Sequence, residues 1–294
     1  MELTQQMING LLQGSLYSLL AIGFTLIFGV LSTLNLAHGE VFMASGFIAL
    51  ILMTKFHIPL YVSFPLSIVL AGTLGLLVEA VSFRPMKREF HFAPLVSTIA
   101  FGIVISESVI NLIGSDAKPF NAQFNLPNIE LGNLLISSPQ LILLSTSILS
   151  MVLLSSIMQH TSIGRSMRAL AENEVAAKLL GVNIRAVIVF TFLLASSLAG
   201  IAGLLYAIRF EAVSPFIGAT VGIKGLAVMI IGGLGNVYGA MIGGLLMGIL
   251  EVLVIALPFG MAEYVDAVVW GALVVILLFR PSGLMGSRVQ TERV

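Results

Sequence analysis

Residues 187–209 read VIVFTFLLASSLAGIAGLLYAIR. No charge interrupts them before Arg209. As a helix rising 1.5 Å per residue they extend over about 33 Å, which crosses the roughly 30 Å hydrocarbon core of a bilayer. Moving outward along the chain, apolar runs of crossing length recur at 7–31, 59–83, 92–114, 138–158 and 236–257, with a shorter one at 263–279. Two Gly-rich stretches, 38–54 and 216–234, are weaker candidates. The implied fold class is an all-α polytopic membrane protein of about eight or nine transmembrane helices.

Composition excludes the main alternative. Of 294 residues, 58% are hydrophobic and only 10% are charged, where a soluble domain carries about 25% charged residues. That supply of polar surface does not cover a water-soluble globule of this size, so a lipid bilayer is the expected solvent. Glycine is plentiful, as in membrane helices that approach closely. With no cysteine there is no disulfide framework and no thiolate chemistry. A net charge of zero gives no basic face for nucleic acid. The opening residues Met1 to Gln6 lack a basic n-region, so the first apolar run reads as a retained helix.

Charge sets the orientation. Lys and Arg gather in cytoplasmic loops, and here they cluster at Arg84, Lys87 and Arg88, at Arg165, Arg168, Lys178 and Arg185, and at Arg280, Arg288 and Arg293. Between Arg185 and Arg280 the chain must then cross an even number of times, so 216–234 supplies a fourth crossing beside 187–209, 236–257 and 263–279. If 38–54 also crosses, nine crossings result, with the N-terminus outside. A gapless shift of 196 positions lays 29–85 on 225–281 with 13 identities in 57 positions, more than an apolar composition alone supplies. Phe83-Arg84-Pro85 falls on Phe279-Arg280-Pro281. This is a parallel internal repeat within one transmembrane domain spanning 1–294, and repeats of this kind place transport sites near their interface.

The cytoplasmic loop 159–186 is the most informative polar stretch. Good helix formers run from Ser166 to Leu180, predicting a short, weakly amphipathic helix with Gly181 placed to end it in a left-handed cap. Small residues on its surface, Ala169, Ala176 and Ala177, suit docking into another protein's groove. The chain has no engine of its own. The nearest approach to a phosphate-binding loop, Gly218 to Gly225, has the wrong spacing and no Ser or Thr after Lys224. Uphill transport would draw on an ion gradient or a separate ATPase.

Ionisable residues inside apolar runs are functional or pairing candidates by default. They are Glu79, Glu107, Glu251 and Asp266. Glu79 lies about one turn from Arg84 and reads as either snorkelling or ion-paired. Glu107, near Ser106, Ser108 and Asn111, is the best candidate among them for a polar path. Asn35-Leu-Ala37-His38-Gly39-Glu40 breaks two apolar runs, either as a plain turn or as a discontinuous element lining a cavity. Gly232-Gly233-Leu-Gly235 is its counterpart in the repeat. Candidates for the translocation path are therefore Asn35, His38, Gly39, Glu40, Glu107, Gly232, Gly233 and Gly235. Four scattered histidines give no metal constellation.

The sequence resembles the LivH-type permeases of bacterial branched-chain amino acid ABC importers. The residues that carry the resemblance are the Asn35–Glu40 and Phe83-Arg84-Pro85 motifs, Ala93-Pro94-Leu95-Val-Ser97-Thr98-Ile99, Gly164-Arg165-Ser-Met-Arg168-Ala169, Ala176-Ala177-Lys-Leu-Leu180-Gly181, Gly232-Gly233-Leu-Gly235 and Arg280-Pro281-Ser-Gly283-Leu284. They run through nearly the whole chain in order. The resemblance implies a bacterial inner-membrane permease subunit, not an enzyme, with no cofactor of its own. It further implies a second, LivM-like permease, two cytoplasmic ATPase subunits that use ATP, and a periplasmic substrate-binding protein. By the same likeness, Gly164, Arg165, Arg168, Ala169, Glu172, Asn173, Ala176, Ala177, Leu180 and Gly181 couple the permease to an ATPase. The small-molecule substrate is expected to be a branched-chain amino acid. Urea, short-chain amides or another small solute are alternatives within the class, and an ion-coupled secondary transporter is an alternative outside it.

Overall fold

The structure, a computed structural model, describes residues 2–86, 92–122, 129–131, 134–256 and 261–286. Of the basic clusters, Lys87, Arg88, Arg288 and Arg293 lie outside these residues. Among the described residues, six helices are long and apolar enough to cross a membrane: α1 (Glu2–Leu31), α3 (Leu60–Val78, continued by a π-helical turn Glu79–Phe83), α4 (Phe92–Ile113), α5 (Ser138–His160), α8 (Ile184–Phe210) and α10 (Val237–Ala256). Three shorter apolar helices are α2 (His38–Thr54), α9 (Ile217–Gly232) and α11 (Val265–Phe279). Two polar helices, α6 (Ser162–Glu172) and α7 (Glu174–Leu179), join α5 to α8. The all-α polytopic architecture is as expected, and all nine apolar segments are helical.

α1 is the central post, packed on α8, α9 and above all α10. Small residues permit that closeness. A Cβ at Gly248 would overlap the backbone of Gly14, and one at Gly244 would meet the backbone nitrogen of Ser18 at 2.5 Å. Between helices that lipid does not push together, such backbone approach supplies the dispersion energy. α4 and α5 stand outside this core and leave large apolar side chains such as Ile103, Val104 and Leu149 exposed.

Short ladders join helix ends. β1 (Lys118–Pro119) pairs antiparallel with β4 (Ala212–Val213), tying the chain after α4 to the chain after α8. The Phe120 N–H extends the clip by donating to the Glu211 carbonyl at 2.8 Å. A second hairpin joins β2 (Ile129–Leu131) to β3 (Leu134–Ile136). At the inner end, the segment after α11 is fastened to the turn after α9. Leu284 N–H donates to Ile231 O (2.8 Å) and Met285 N–H to Gly232 O (3.0 Å).

A charged network crosses the core. Lys224 Nζ of α9 lies 2.6 Å from Glu251 Oε1 of α10 and 2.9 Å from Asp266 Oδ1 of α11. Tyr17 of α1 donates to Glu251 Oε2 at 2.6 Å. Glu251 and Asp266, functional or pairing candidates in the sequence, thus belong to one group with Lys224, in which each buried ion meets a counter-ion.

Two outcomes test this packing. Gly248→Val should lower stability by about 1–3 kcal/mol through overpacking, whereas Gly271→Ala, where a Cβ meets nothing within 4 Å, should leave thermal unfolding in detergent unchanged. Glu251→Leu leaves Lys224 with only its exposed partner Asp266 and the Tyr17 hydroxyl without an acceptor, and should destabilise by about 1–3 kcal/mol, with part of the loss recovered in the Lys224→Met/Glu251→Leu double variant. Comparing single and double variants in one denaturation series reads the pair directly.

Candidate functional site

Two of the short helices begin inside the membrane's depth. The middle of α4 falls at Gly102, and a Cβ there would meet Glu40 Cγ at 3.2 Å and Ala37 Cα at 3.5 Å. His38 packs against Gly23 of α1 near Ala195, which is close to the middle of α8. α2 therefore starts at mid-depth and serves the outer half. α9 starts beside it: a Cβ at Gly39 would overlap the Gly218 carbonyl and lie 2.9 Å from Gly222 Cα. From there α9 descends to Gly232, which touches Gly239 at the start of α10. Each short helix crosses only together with the irregular segment leading into it.

Irregular backbone at this depth needs protein partners. Asn35 supplies one, its Oδ1 accepting from the Ala37 N–H at 3.2 Å. Thr98 of α4 supplies another, its hydroxyl accepting from the Leu36 N–H at 3.2 Å. His38 is fully buried with its ring edge-on to Phe24, centroids 4.7 Å apart. No side chain caps the N-terminus of either α2 or α9.

Glu40 occupies the junction. Its carboxylate lies where a Cβ at Gly218 would fall, and Oε2 is buried without a hydrogen-bond partner. It borders a groove of about 370 Å³ between α1, α2, α4 and α9, walled by Phe24, Leu36, Ile99, Ile103, Ile223 and Leu226. The volume falls within the roughly 300–1,000 Å³ usual for small-molecule sites.

In the loop between α5 and α8 the expected single helix is split into two. Asn173, extended at φ −158°, ends α6 and caps α7 by accepting the Ala176 N–H at 2.9 Å. Its short side chain competes with the helical backbone, which is why the run breaks there. Thr161 caps α6 by accepting the Gly164 N–H at 3.1 Å. Gly181 adopts φ +81° and closes α7, with the Val182 N–H donating to Ala177 O. Gly164 and Ala177 are buried, Ala169 is half-buried, and Arg165, Arg168, Glu172, Asn173, Ala176, Leu180 and Gly181 are exposed. The pair lies between two cavities: Glu172, Asn173 and Lys178 line one of about 680 Å³ with Glu79 and Arg84, and Arg168 lines another of about 630 Å³. The tip of α7 shows bare apolar surface, Leu179 at 83% and Leu180 at 81% exposure, with Val175 beside them.

Not all sequence candidates converge. Asn35, His38, Gly39 and Glu40 share the mid-depth junction. Gly232, Gly233 and Gly235 form the inner turn instead, with Gly233 (φ +111°) against Ser282 and Gly286 and Gly235 beside Gly29. Glu107 is exposed on α4, directed away from the chain's interior. Glu79 is buried in the π-helical turn. Sequence reasoning missed Gly102, Gly218 and Gly222, although the Gly218–Gly222 spacing of four is the small-residue signal for close helix approach. Among the described residues no three His, Asp or Glu side chains converge as a metal site.

The comparisons with known proteins agree with this architecture. Residues 6–278 match the family described as "Branched-chain amino acid transport system / permease component". The chain is 34% identical to the high-affinity branched-chain amino acid transport system permease protein BraD of Pseudomonas aeruginosa, across 99% of this chain and 97% of that one. It is 33% identical to the permease protein LivH of Escherichia coli over the same shares. A more distant likeness, 27% over 83% of this chain and 75% of the relative, is to the ribose import permease protein RbsC of Haemophilus influenzae. Permeases of this class are multi-pass inner-membrane proteins that work with ATPase and binding-protein partners, the ATP being hydrolysed by the partners. Matched along nearly its whole length, the chain belongs to the family of permease components of branched-chain amino acid ABC transport systems.

Proposed function

We propose that this chain moves branched-chain, hydrophobic amino acids through the groove at Glu40, paired with a second, LivM-like permease and driven by two ATPase subunits that push on α6 and α7. A periplasmic binding protein would deliver the substrate to the outer face. The observation that carries the coupling role is the bare apolar tip of α7 on a helix pair capped at Thr161, Asn173 and Gly181. Exposed leucines on a rigid cytoplasmic projection suit a groove in a partner. In this reading Gly164 and Ala177 seat the pair on the bundle, while Arg165, Arg168, Ala169, Glu172, Asn173, Ala176, Leu180 and Gly181 meet or shape the ATPase contact.

The path reading rests on the mid-depth start of α2 and α9, where a discontinuous helix pair lines a cavity. The groove is open on its α4 flank, and the second permease subunit would close it, bringing Glu107 and the exposed apolar face of α4 to the subunit boundary. Apolar walls match an alkyl side chain better than a sugar or urea. In the repeat reading, 29–85 and 225–281 belong to two halves of one domain, with the junction beside the first.

Leucine uptake into proteoliposomes holding the full complex tests the assignment. Arg168→Glu or the Leu179→Ser/Leu180→Ser pair should cut ATP-driven uptake about tenfold or more, as loss of hot-spot contacts of 2 kcal/mol or above would, with the chain still folded. Gradient-driven uptake by this chain without ATPase subunits would instead identify a secondary transporter. Valine and isoleucine should compete with leucine, and urea and ribose should not.

A further inference from the structure

Glu40 differs from Glu251 and Asp266, the acids of the charged network. Glu251 has Lys224 and Tyr17 within 2.6 Å. Asp266 shares Lys224 and is largely exposed. Glu40 has no ion-pair or hydrogen-bond partner among the described residues, and its Oε2 is shut away from solvent. A carboxylate at this depth costs several kcal/mol unless a cation or water meets it. Here the cation does not come from the surrounding helices.

The groove is built around that carboxylate. Side chains are missing where they would obstruct it: a Cβ at Gly218 would collide with the carboxylate, and one at Gly102 would press on Glu40 Cγ at 3.2 Å. Gly222 lets α9 reach Gly39, with a Cβ there 3.0 Å from Gly39 Cα. The N-termini of α2 and α9, neither capped by a side chain, lie beside the carboxylate, and helix N-termini favour negative charge. Among the residues lining the groove, Ser106 is the other one with a polar side chain, and its hydroxyl already donates to the Ile103 carbonyl at 3.0 Å. The rest is aliphatic, aromatic or glycine. One carboxylate in an otherwise apolar slot complements a molecule with one ammonium and an alkyl chain. It offers little to a sugar or an amide, which need several polar partners.

We infer that Glu40 receives the α-ammonium group of the amino acid in transit, while the alkyl side chain lies along Ile99, Ile103, Ile223 and Leu226. This rests on the reading of the groove as the translocation path. A purely structural Glu40 would only compensate two helix dipoles, and its removal would act without regard to substrate.

The cysteine-free chain makes the two readings separable. Ser106→Cys places a single thiol of this subunit in the groove. In the full complex in proteoliposomes, its modification by a membrane-impermeant thiol reagent is followed on this subunit's band. Modification shows that water reaches the groove, and its complete absence in every nucleotide state would overturn the path reading itself. Leucine at about ten times its dissociation constant should slow modification about tenfold. The probe 4-methylpentanoate, the same skeleton without the ammonium, should not slow it. Adding Glu40→Gln should leave the unprotected rate within about twofold, yet weaken leucine protection by about ten- to a hundredfold in concentration, the loss of one charge-assisted contact. Equal protection by both probes, no protection by leucine in a groove that is modified, or undiminished leucine protection in Glu40→Gln would each overturn the ammonium assignment and leave the path standing.

Discussion

Inside a bilayer no water is at hand to satisfy a peptide group, and the arrangement of this protein depends on that constraint. Helices satisfy themselves along their length, so the difficulty concentrates wherever a helix begins or ends away from a surface. The chain accepts two such places, at His38 and at Ile217, and brings them together. Asn35 and Thr98 hold the backbone leading into the first. The glycines at 39, 218 and 222 let the two helix starts approach at backbone distance. With these two places gathered into one, the protein gains a polar junction beside a largely apolar groove.

The two clusters of buried charge answer the same constraint in opposite ways. Lys224, Glu251, Asp266 and Tyr17 satisfy one another and link α1, α9, α10 and α11. Such closed groups fix which helix faces meet. Glu40 is left open toward a groove. An acid that has its counter-ions is part of the scaffold, and an acid that lacks them has a role only when something else arrives.

Much of the architecture was legible in the sequence. Hydropathy located the nine apolar helices, and the parity of the basic clusters required the stretch around 216–234 to cross. The break at Asn35–Glu40 announced itself by polarity amid apolar runs. Depth was not legible, because hydropathy reports what surrounds a residue and not its level in the membrane. α2 and α9 therefore looked like weak whole spans. Helices that are apolar on every side also conceal which face turns inward, so the exposure of Glu107 on α4 was not legible. Gly102 is one glycine in a greasy helix, and only the proximity of Glu40 gives it meaning. The division at Asn173 followed a local competition between a side chain and the helix, which the strong propensities around it masked. Lys224 and Glu251 meet across 27 positions of sequence, beyond the reach of any local pattern.

The small ladder at the outer surface has a mechanical consequence. Lys118–Val213 and Pro119–Ala212 clip the upper end of α4 to the upper end of α8, and α8 belongs to the core around α1. At its lower end, α4 begins at Phe92, which is 81% exposed. α4 nevertheless packs on the π-helical turn Glu79–Phe83 near that end and on α2 along its length. The ladder fixes its far end to α8, so this wall of the groove beside Glu40 is tied to the core by backbone hydrogen bonds as well as by side-chain packing.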